Sequence, residues 1–333
     1  MKTLLVGYKA ADLFERGKHG KKFTAKWIDG DVLCHTLDIY HRHAIEKTHH
    51  IRAVCSPHLP EGPWDLIKFK TGPKLMSGEL SLDMLQEIHR LKPAKFELEF
   101  IGKERDRNEL LAKIRDNPDR VRDFSAKWPA SVPGGDKLMF TSYPGCFCHR
   151  RLDEGGLALA EVISRDLTSH PPSPPLIGHR LRRLLPSVVG GYVPQSPSLL
   201  DMGCGCGLVG FLVKSVVKDI SLVMVDSHSR AVEAANLNAA NFNMPAEVIL
   251  ADNGTPARMD GTFDVFAGNP PYYSDYRIAE VFLETALRAL KPGGIAYTVV
   301  KNDAGLKPVQ ERYFPSVEVI RRRGYSVLKS VKI

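Results

Sequence analysis

The sequence predicts an α/β protein built as two tandem domains, each a doubly wound, mainly parallel sheet covered by helices. Three observations predict this. Short apolar runs alternate with amphipathic stretches along the chain, the pattern of repeated strand–helix units around a parallel sheet. Sliding the sequence against itself by 199 residues lays Gly62-Pro-Trp-Asp-Leu-Ile over Gly261-Thr-Phe-Asp-Val-Phe, and Leu91-Lys-Pro over Leu290-Lys-Pro without a gap, which marks an internal duplication. Between the copies lies Trp128-Pro-Ala-Ser-Val-Pro-Gly-Gly-Asp, a breaker-rich stretch of the kind that separates domains. The expected domains are residues 1–130 and 140–333.

The elements follow in order. Thr3–Val6 is an opening apolar strand, and Phe96–Ile101 is the strand after the first Leu-Lys-Pro helix stop. In the second copy a strand through Leu199 and Leu200 runs into alternating glycines, followed by an apolar helix over Leu208–Val217. Ser221–Asp226 is the next strand, and the helix after it has a small apolar face of Ala231, Ala234, Ala235 and Leu237. Ala246–Asn253, Phe263–Gly268 and Ile295–Val300 complete the strands. A Pro-rich stretch, Thr168–Pro197, reads as a surface insertion in the second domain.

Composition excludes several classes. Of 333 residues, 43% are hydrophobic and 25% charged, and no apolar run approaches the roughly 18 residues of a membrane span. The N-terminus enters a strand without a cleavage pattern, and six cysteines make no disulfide framework, so a reducing cytoplasm is the expected location and a monomer the expected state. The net charge of +8 favours a polyanionic partner, but it divides as +5 over residues 1–140 and +3 over the rest, so it marks no single surface. No metal site is expected. The histidines between His41 and His50 lack Cys or carboxylate partners at ligand spacing, and small residues beside glycine turns account for Cys146, Cys148, Cys204 and Cys206.

The chemistry is concentrated in the second copy. Asp201 ends a strand, and Gly203, Gly205 and Gly207 then alternate, allowing positive φ and close approach of backbone to a ligand. Asp226 ends the next strand, where a carboxylate accepts two hydrogen bonds from a ribose diol; Asp252 and Asn253 end the third. The fourth strand ends in Asn269-Pro270-Pro271-Tyr272. A conjugated amine is a poor nucleophile. In-plane acceptors, the Asn269 side-chain oxygen and the Pro270 carbonyl, can hold its hydrogens and turn its lone pair toward an electrophile, while Tyr272 stacks on the planar group.

This series resembles the class I S-adenosylmethionine-dependent methyltransferases, and the Asn-Pro-Pro-Tyr tetrad resembles those that methylate a planar amino nitrogen. Ser142-Tyr-Pro-Gly-Cys-Phe-Cys-His-Arg-Arg-Leu-Asp-Glu-Gly-Gly is similar to the segment that opens the catalytic domain of the bacterial rRNA guanine-N2 methyltransferases, a tandem-domain family with a methyltransferase small domain. The resemblance implies two tandem Rossmann-like methyltransferase domains with a degenerate N-terminal copy, S-adenosyl-L-methionine as cofactor, and ribosomal RNA or a ribosomal-subunit intermediate as partner, without a membrane. It implies that Phe147, Asp153 and Gly155 help close the cofactor pocket. The first copy fits a degenerate role, since Thr3-Leu-Leu-Val-Gly-Tyr-Lys lacks the alternating glycines and the acid, and Lys70-Thr-Gly-Pro stands where the tetrad would be. Lys68, Lys70 and Lys74 are read there as phosphate contacts or as an ordinary solvated strand end.

The expected reaction is methyl transfer to guanine N2 in ribosomal RNA. Tyr272 stands where that family commonly has Phe, so adenine-N6 and protein glutamine-N5 methylation remain open. So does a non-catalytic RNA-binding or assembly protein with this fold.

Overall fold

The computed structural model describes residues 1–16, 22–24, 30–115, 121–169, 196–271 and 276–333. Most of the Pro-rich insertion, and Tyr272, lie outside the described residues.

The first half contains β1 (Lys2–Val6), a small hairpin of β2 (Phe14–Arg16) and β3 (Lys22–Thr24), β4 (Asp31–Thr36), α1 (Ile39–His49), β5 (Arg52–Cys55), β6 (Leu66–Thr71), α2 (Gly78–Leu91), β7 (Lys95–Phe100) and α3 (Glu104–Arg115). Its main sheet has the order β5-β4-β1-β6-β7, all parallel. A second hairpin, β8 (Ala126–Ala130) and β9 (Leu138–Ser142), leads into α4 (Glu154–Ser169). Then come β10 (Ser198–Met202), α5 (Leu208–Val216), β11 (Ser221–Asp226), α6 (Ser229–Phe242), β12 (Glu247–Leu250), β13 (Phe263–Gly268), α7 (Arg277–Ala289), β14 (Leu290–Val300), α8 (Asp303–Gln310), β15 (Glu318–Arg322) and β16 (Tyr325–Val331). These strands form a seven-stranded sheet, β12-β11-β10-β13-β14-β16-β15, parallel through β14 and antiparallel at β16 and β15.

Both sheets therefore share one strand order over five strands, and the second adds an antiparallel hairpin. The registers agree as well: Leu4 pairs with Ile67 as Leu200 pairs with Phe266. Central strands β1 and β10 are buried on both faces, as a parallel strand covered by helices requires, which is why they read as continuous apolar runs. Helix α7 buries Ala279, Phe282, Leu283 and Ala286, one stripe at helical spacing, against the sheet. The two Leu-Lys-Pro stops differ in detail. Lys92 adopts a left-handed conformation at the end of α2, whereas Leu290 already belongs to β14, whose register shifts near the Pro292-Gly293-Gly294 run.

The halves meet at the carboxyl ends of their second strands. Ile39 N–H donates to the Ser227 carbonyl at 2.9 Å, and Ser229 N–H donates to the Leu37 carbonyl at 2.6 Å. Each of these residues has its counterpart 190 positions away, so the contact is self-complementary in the manner of a two-fold interface. Arg230, 2% exposed, spans the junction: its guanidinium binds the Asp83 carboxylate, Glu87 Oε1 at 3.3 Å and the Pro57 carbonyl at 3.0 Å. His58 joins Glu87 and Glu233, 3.0 Å from each.

Candidate active site

The carboxyl ends of β10, β11 and β13 converge on one crevice of the second sheet. After β10, the N–H groups of Gly203 and Cys204 both donate to the Val225 carbonyl, folding the loop over β11. Gly203, Gly205 and Gly207 have φ of 69°, 56° and 88°. A Cβ on Gly203 would lie 2.8 Å from Phe282 and one on Gly207 2.4 Å from Phe211, but one on Gly205 would meet nothing within 4 Å. Two glycines thus serve packing and the middle one faces open space.

Asp226 lies beside that space. Its Oδ2 accepts the Gly205 N–H at 2.8 Å and its Oδ1 the His228 N–H at 2.9 Å, so each oxygen keeps a lone pair, the pattern that fits a vicinal diol. Asp201 has another role. It is 2% exposed, and its Oδ2 accepts the Gly210 N–H at 2.9 Å, capping the first turn of α5 from behind the glycine loop. Burial, with Asp226 and Asp153 nearby, pushes its carboxyl up to about 7. Burial also raises Asp226 and Asp153.

Asp153 and Asn269 form the second group. Asp153 Oδ1 accepts the Gly155 N–H at 3.0 Å, and its Oδ2 accepts Asn269 Nδ2 at 2.8 Å. With its NH₂ committed to a carboxylate, the Asn269 amide presents its oxygen as the remaining acceptor. Pro270 is buried and Pro271 half-buried beside it.

Other sequence-predicted residues stand apart. β12 stops at Leu250, and Asp252 Oδ2 lies 3.1 Å from His43 Nδ1 of α1, turned toward the first half; Asn253 is exposed. Phe147 is 66% exposed. Cys146, Cys204 and Cys206 are buried and Cys148 is half-buried; burial pushes the Cys146 thiol up to about 12. Among the described residues no three His, Cys, Asp or Glu side chains converge as metal ligands.

Sequence reasoning missed Asn238. Its amide, fully buried in α6, accepts from Thr141 N–H and donates to the carbonyls of Thr141 and Cys206, each at 2.9 Å, tying β9 to the glycine loop. The signal was an asparagine on the same helix face as Ala231, Ala234 and Ala235.

In the first half the counterpart of the glycine loop is packed by the domain's own groups. Gly7, the counterpart of Gly203, keeps a φ of 77°, and a Cβ there would lie 2.3 Å from the Lys70 carbonyl oxygen. The next residue, Tyr8, is buried and donates to Glu99 Oε2 at 2.9 Å. Lys70, at the position of Asn269, pairs with Asp12 at 3.0 Å and Glu99 at 2.9 Å. Lys68 pairs with Glu97 at 3.0 Å. Both lysines are thus paired with acids of their own domain.

Residues 184–329 match the family model described as "Methyltransferase small domain". The Pseudomonas aeruginosa (strain UCBPP-PA14) Ribosomal RNA small subunit methyltransferase C is 30% identical over 190 residues, covering 55% of this chain and 48% of the relative. The Bacillus subtilis (strain 168) Uncharacterized protein YbxB is 26% identical over 218 residues, 64% of this chain and 94% of the relative. The chain thus matches about half the length of the Pseudomonas relative. In solved structures, the T. thermophilus 16S rRNA N2 G1207 methyltransferase (RsmC), in complex with AdoMet and guanosine, aligns over 100% of this chain and 88% of its own, with a TM-score of 0.73 and 15% identity. That likeness establishes the two-sheet fold over the whole chain. The residues matched by the family model include the glycine loop, Asp226 and Asn269.

Proposed function

We propose that this protein is a cytoplasmic, S-adenosylmethionine-dependent N-methyltransferase acting on guanine N2 in ribosomal RNA, with residues 140–333 catalytic and residues 1–130 a degenerate scaffold. The observation that carries the proposal is the Asp153–Asn269 hydrogen bond, which leaves an amide oxygen as a fixed acceptor beside the crevice of Gly205 and Asp226.

The residues present fit the cofactor. Asp226 has two lone pairs for the ribose hydroxyls, and Gly205 leaves its cradle open. S-adenosylmethionine supplies an activated methyl group. Asp201 holds the loop from behind and Asp153 and Gly155 border the pocket, whereas Phe147, Asp252 and Asn253, expected at the cofactor, stand apart from it. Asn269 and the Pro270 carbonyl accept the amine hydrogens and aim the lone pair, and Pro271 stiffens that turn; Tyr272, the expected stacking residue, lies outside the described residues. A helical base pair hides the N2 edge, so the acceptor is an unpaired or flipped nucleotide in naked RNA or an assembly intermediate.

The test is transfer of labelled methyl to 16S rRNA, followed by nucleoside mass spectrometry. N2-methylguanosine from the wild type and none from Asn269→Ala is the expected result. A product of N6-methyladenosine, or methylation of a glutamine peptide and not of RNA, overturns the acceptor assignment.

A further inference from the structure

The segment that leads from β9 into α4 is held in a strained conformation by the other half of the chain. Its backbone turns at Cys148, with φ of 54°, and at Arg150, with φ of 64°, two non-glycine residues in the left-handed region. L-residues stay there only where surrounding contacts hold them. Those contacts come largely from α2. Arg150 Nε donates to both carboxylate oxygens of Glu79 at 2.9 Å, and its Nη2 donates to the Phe124 carbonyl at 3.3 Å. The His149 ring bridges two elements, with Nδ1 3.0 Å from Ser142 Oγ at the end of β9 and Nε2 3.3 Å from Glu79 Oε2. Leu80, the residue after Glu79, lies against the start of the same segment, where a Cβ on Gly145 would be 3.5 Å from Leu80 Cδ2.

Glu79, Asp83 and Glu87 follow one another at helical spacing along α2, and all three face the second half. Asp83 and Glu87 meet Arg230 at the junction; Glu79 reaches the segment that leads to Asp153. With Glu79 39% and Arg150 47% exposed, their ion pair adds little to stability by itself. Its consequence is placement. Just beyond Arg150, Asp153 Oδ1 accepts the Gly155 N–H at the start of α4 and its Oδ2 accepts Asn269 Nδ2 at 2.8 Å.

We infer that Glu79 of the first half is a positioning residue for the acceptor clamp: it holds His149 and Arg150, these fix the left-handed turn, and the turn sets the Asp153 carboxylate that orients the Asn269 amide. This rests on the methyltransferase reading of the site, and it gives the first half a part in the rate of transfer beyond its part in folding. A misplacement of about 1 Å at an acceptor, introduced from outside the site, can cost up to roughly 100-fold in rate.

The experiment uses the full-length protein and two readouts, methyl transfer to 16S rRNA and backbone hydrogen exchange of the peptide spanning residues 147–157. Glu79→Gln, and Arg150→Gln from the exposed side of the same contact, are each expected to lower kcat roughly tenfold while KM for RNA and the dissociation constant of S-adenosylhomocysteine hold. Both speed exchange in the peptide. Adding Glu79→Gln to Asp153→Ala should lower kcat no further than Asp153→Ala alone, since the two act through one carboxylate. Glu87→Gln, which loosens the junction elsewhere on α2, is expected to lower the urea midpoint and leave kcat and the exchange of this peptide as they are. An additive loss in the Glu79/Asp153 pair, or equal effects from Glu87→Gln, overturns the positioning role. A wild type that methylates RNA with kcat unmoved by Glu79→Gln and Arg150→Gln also overturns it and leaves the activity standing. A wild type that transfers no methyl, with exchange still answering to Glu79, overturns the activity and leaves the coupling of Glu79 to Asp153 standing.

Discussion

Asp153 Oδ2 accepts a hydrogen bond from Asn269 Nδ2 at 2.8 Å, joining residues 116 positions apart and fixing which face of the asparagine amide is left to receive a substrate. Asp153→Ala releases the amide to rotate. A hydrogen bond to a charged group contributes about 1.5–3 kcal/mol, so kcat for methyl transfer is expected to fall roughly 10- to 100-fold. The cofactor dissociation constant, measured by calorimetry with S-adenosylhomocysteine, changes less. Equal losses in both would place Asp153 mainly on the cofactor.

Asp226→Ala should show the reverse division. Its two free lone pairs are the diol acceptors, so cofactor affinity is expected to drop at least about tenfold, while protein melting without ligand moves little. Unchanged cofactor affinity in titration calorimetry would remove Asp226 from the site.

The glycine loop separates stability from binding. Gly205→Ala adds a methyl group in open space at a φ of 56°, a strain of about 1 kcal/mol, and is expected to leave a folded protein with weakened cofactor binding. Gly207→Ala drives a Cβ to 2.4 Å from Phe211 and is expected to lower the urea midpoint substantially more. Similar midpoints for the two variants would contradict this assignment.

Arg230→Met removes a buried cation and leaves Asp83 and Glu87, one turn apart on α2, without it at the junction. Loss of one partner from a buried ion pair costs about 3–5 kcal/mol, and denaturant unfolding should register a loss of that order. A triple variant that also carries Asp83→Leu and Glu87→Leu should recover part of it.

Acid should weaken the fold through His35. It is 1% exposed and donates from Nε2 to the Ser56 carbonyl at 2.9 Å; burial, assisted by the Arg230 charge, lowers it from 6.5 to about 4. The unfolded chain takes up this proton more readily than the folded one. Stability present above pH 6.5 is therefore lost as pH falls from 6.5 toward 4, by on the order of 3 kcal/mol. Urea unfolding across that window checks it, and His35→Gln should flatten the slope.

The sequence by itself determined the duplication, the strand that carries the glycines, and the identity of the tetrad. These are local or periodic properties: Leu91-Lys-Pro and Leu290-Lys-Pro show themselves at one offset, and Gly203, Gly205 and Gly207 are demanded by backbone sterics wherever the loop sits. Three strand-end acids read alike in sequence because each follows an apolar run. Only the tertiary structure divided them, setting Asp201 behind the loop as a helix cap, Asp226 at the crevice and Asp252 against His43 of the other half. The same holds for Lys70, an unremarkable strand-end lysine until Asp12 and Glu99 fold onto it. A side chain's partner depends on which segments the chain brings together, and contacts such as Asp153 with Asn269 exist only once distant strands and helices have packed.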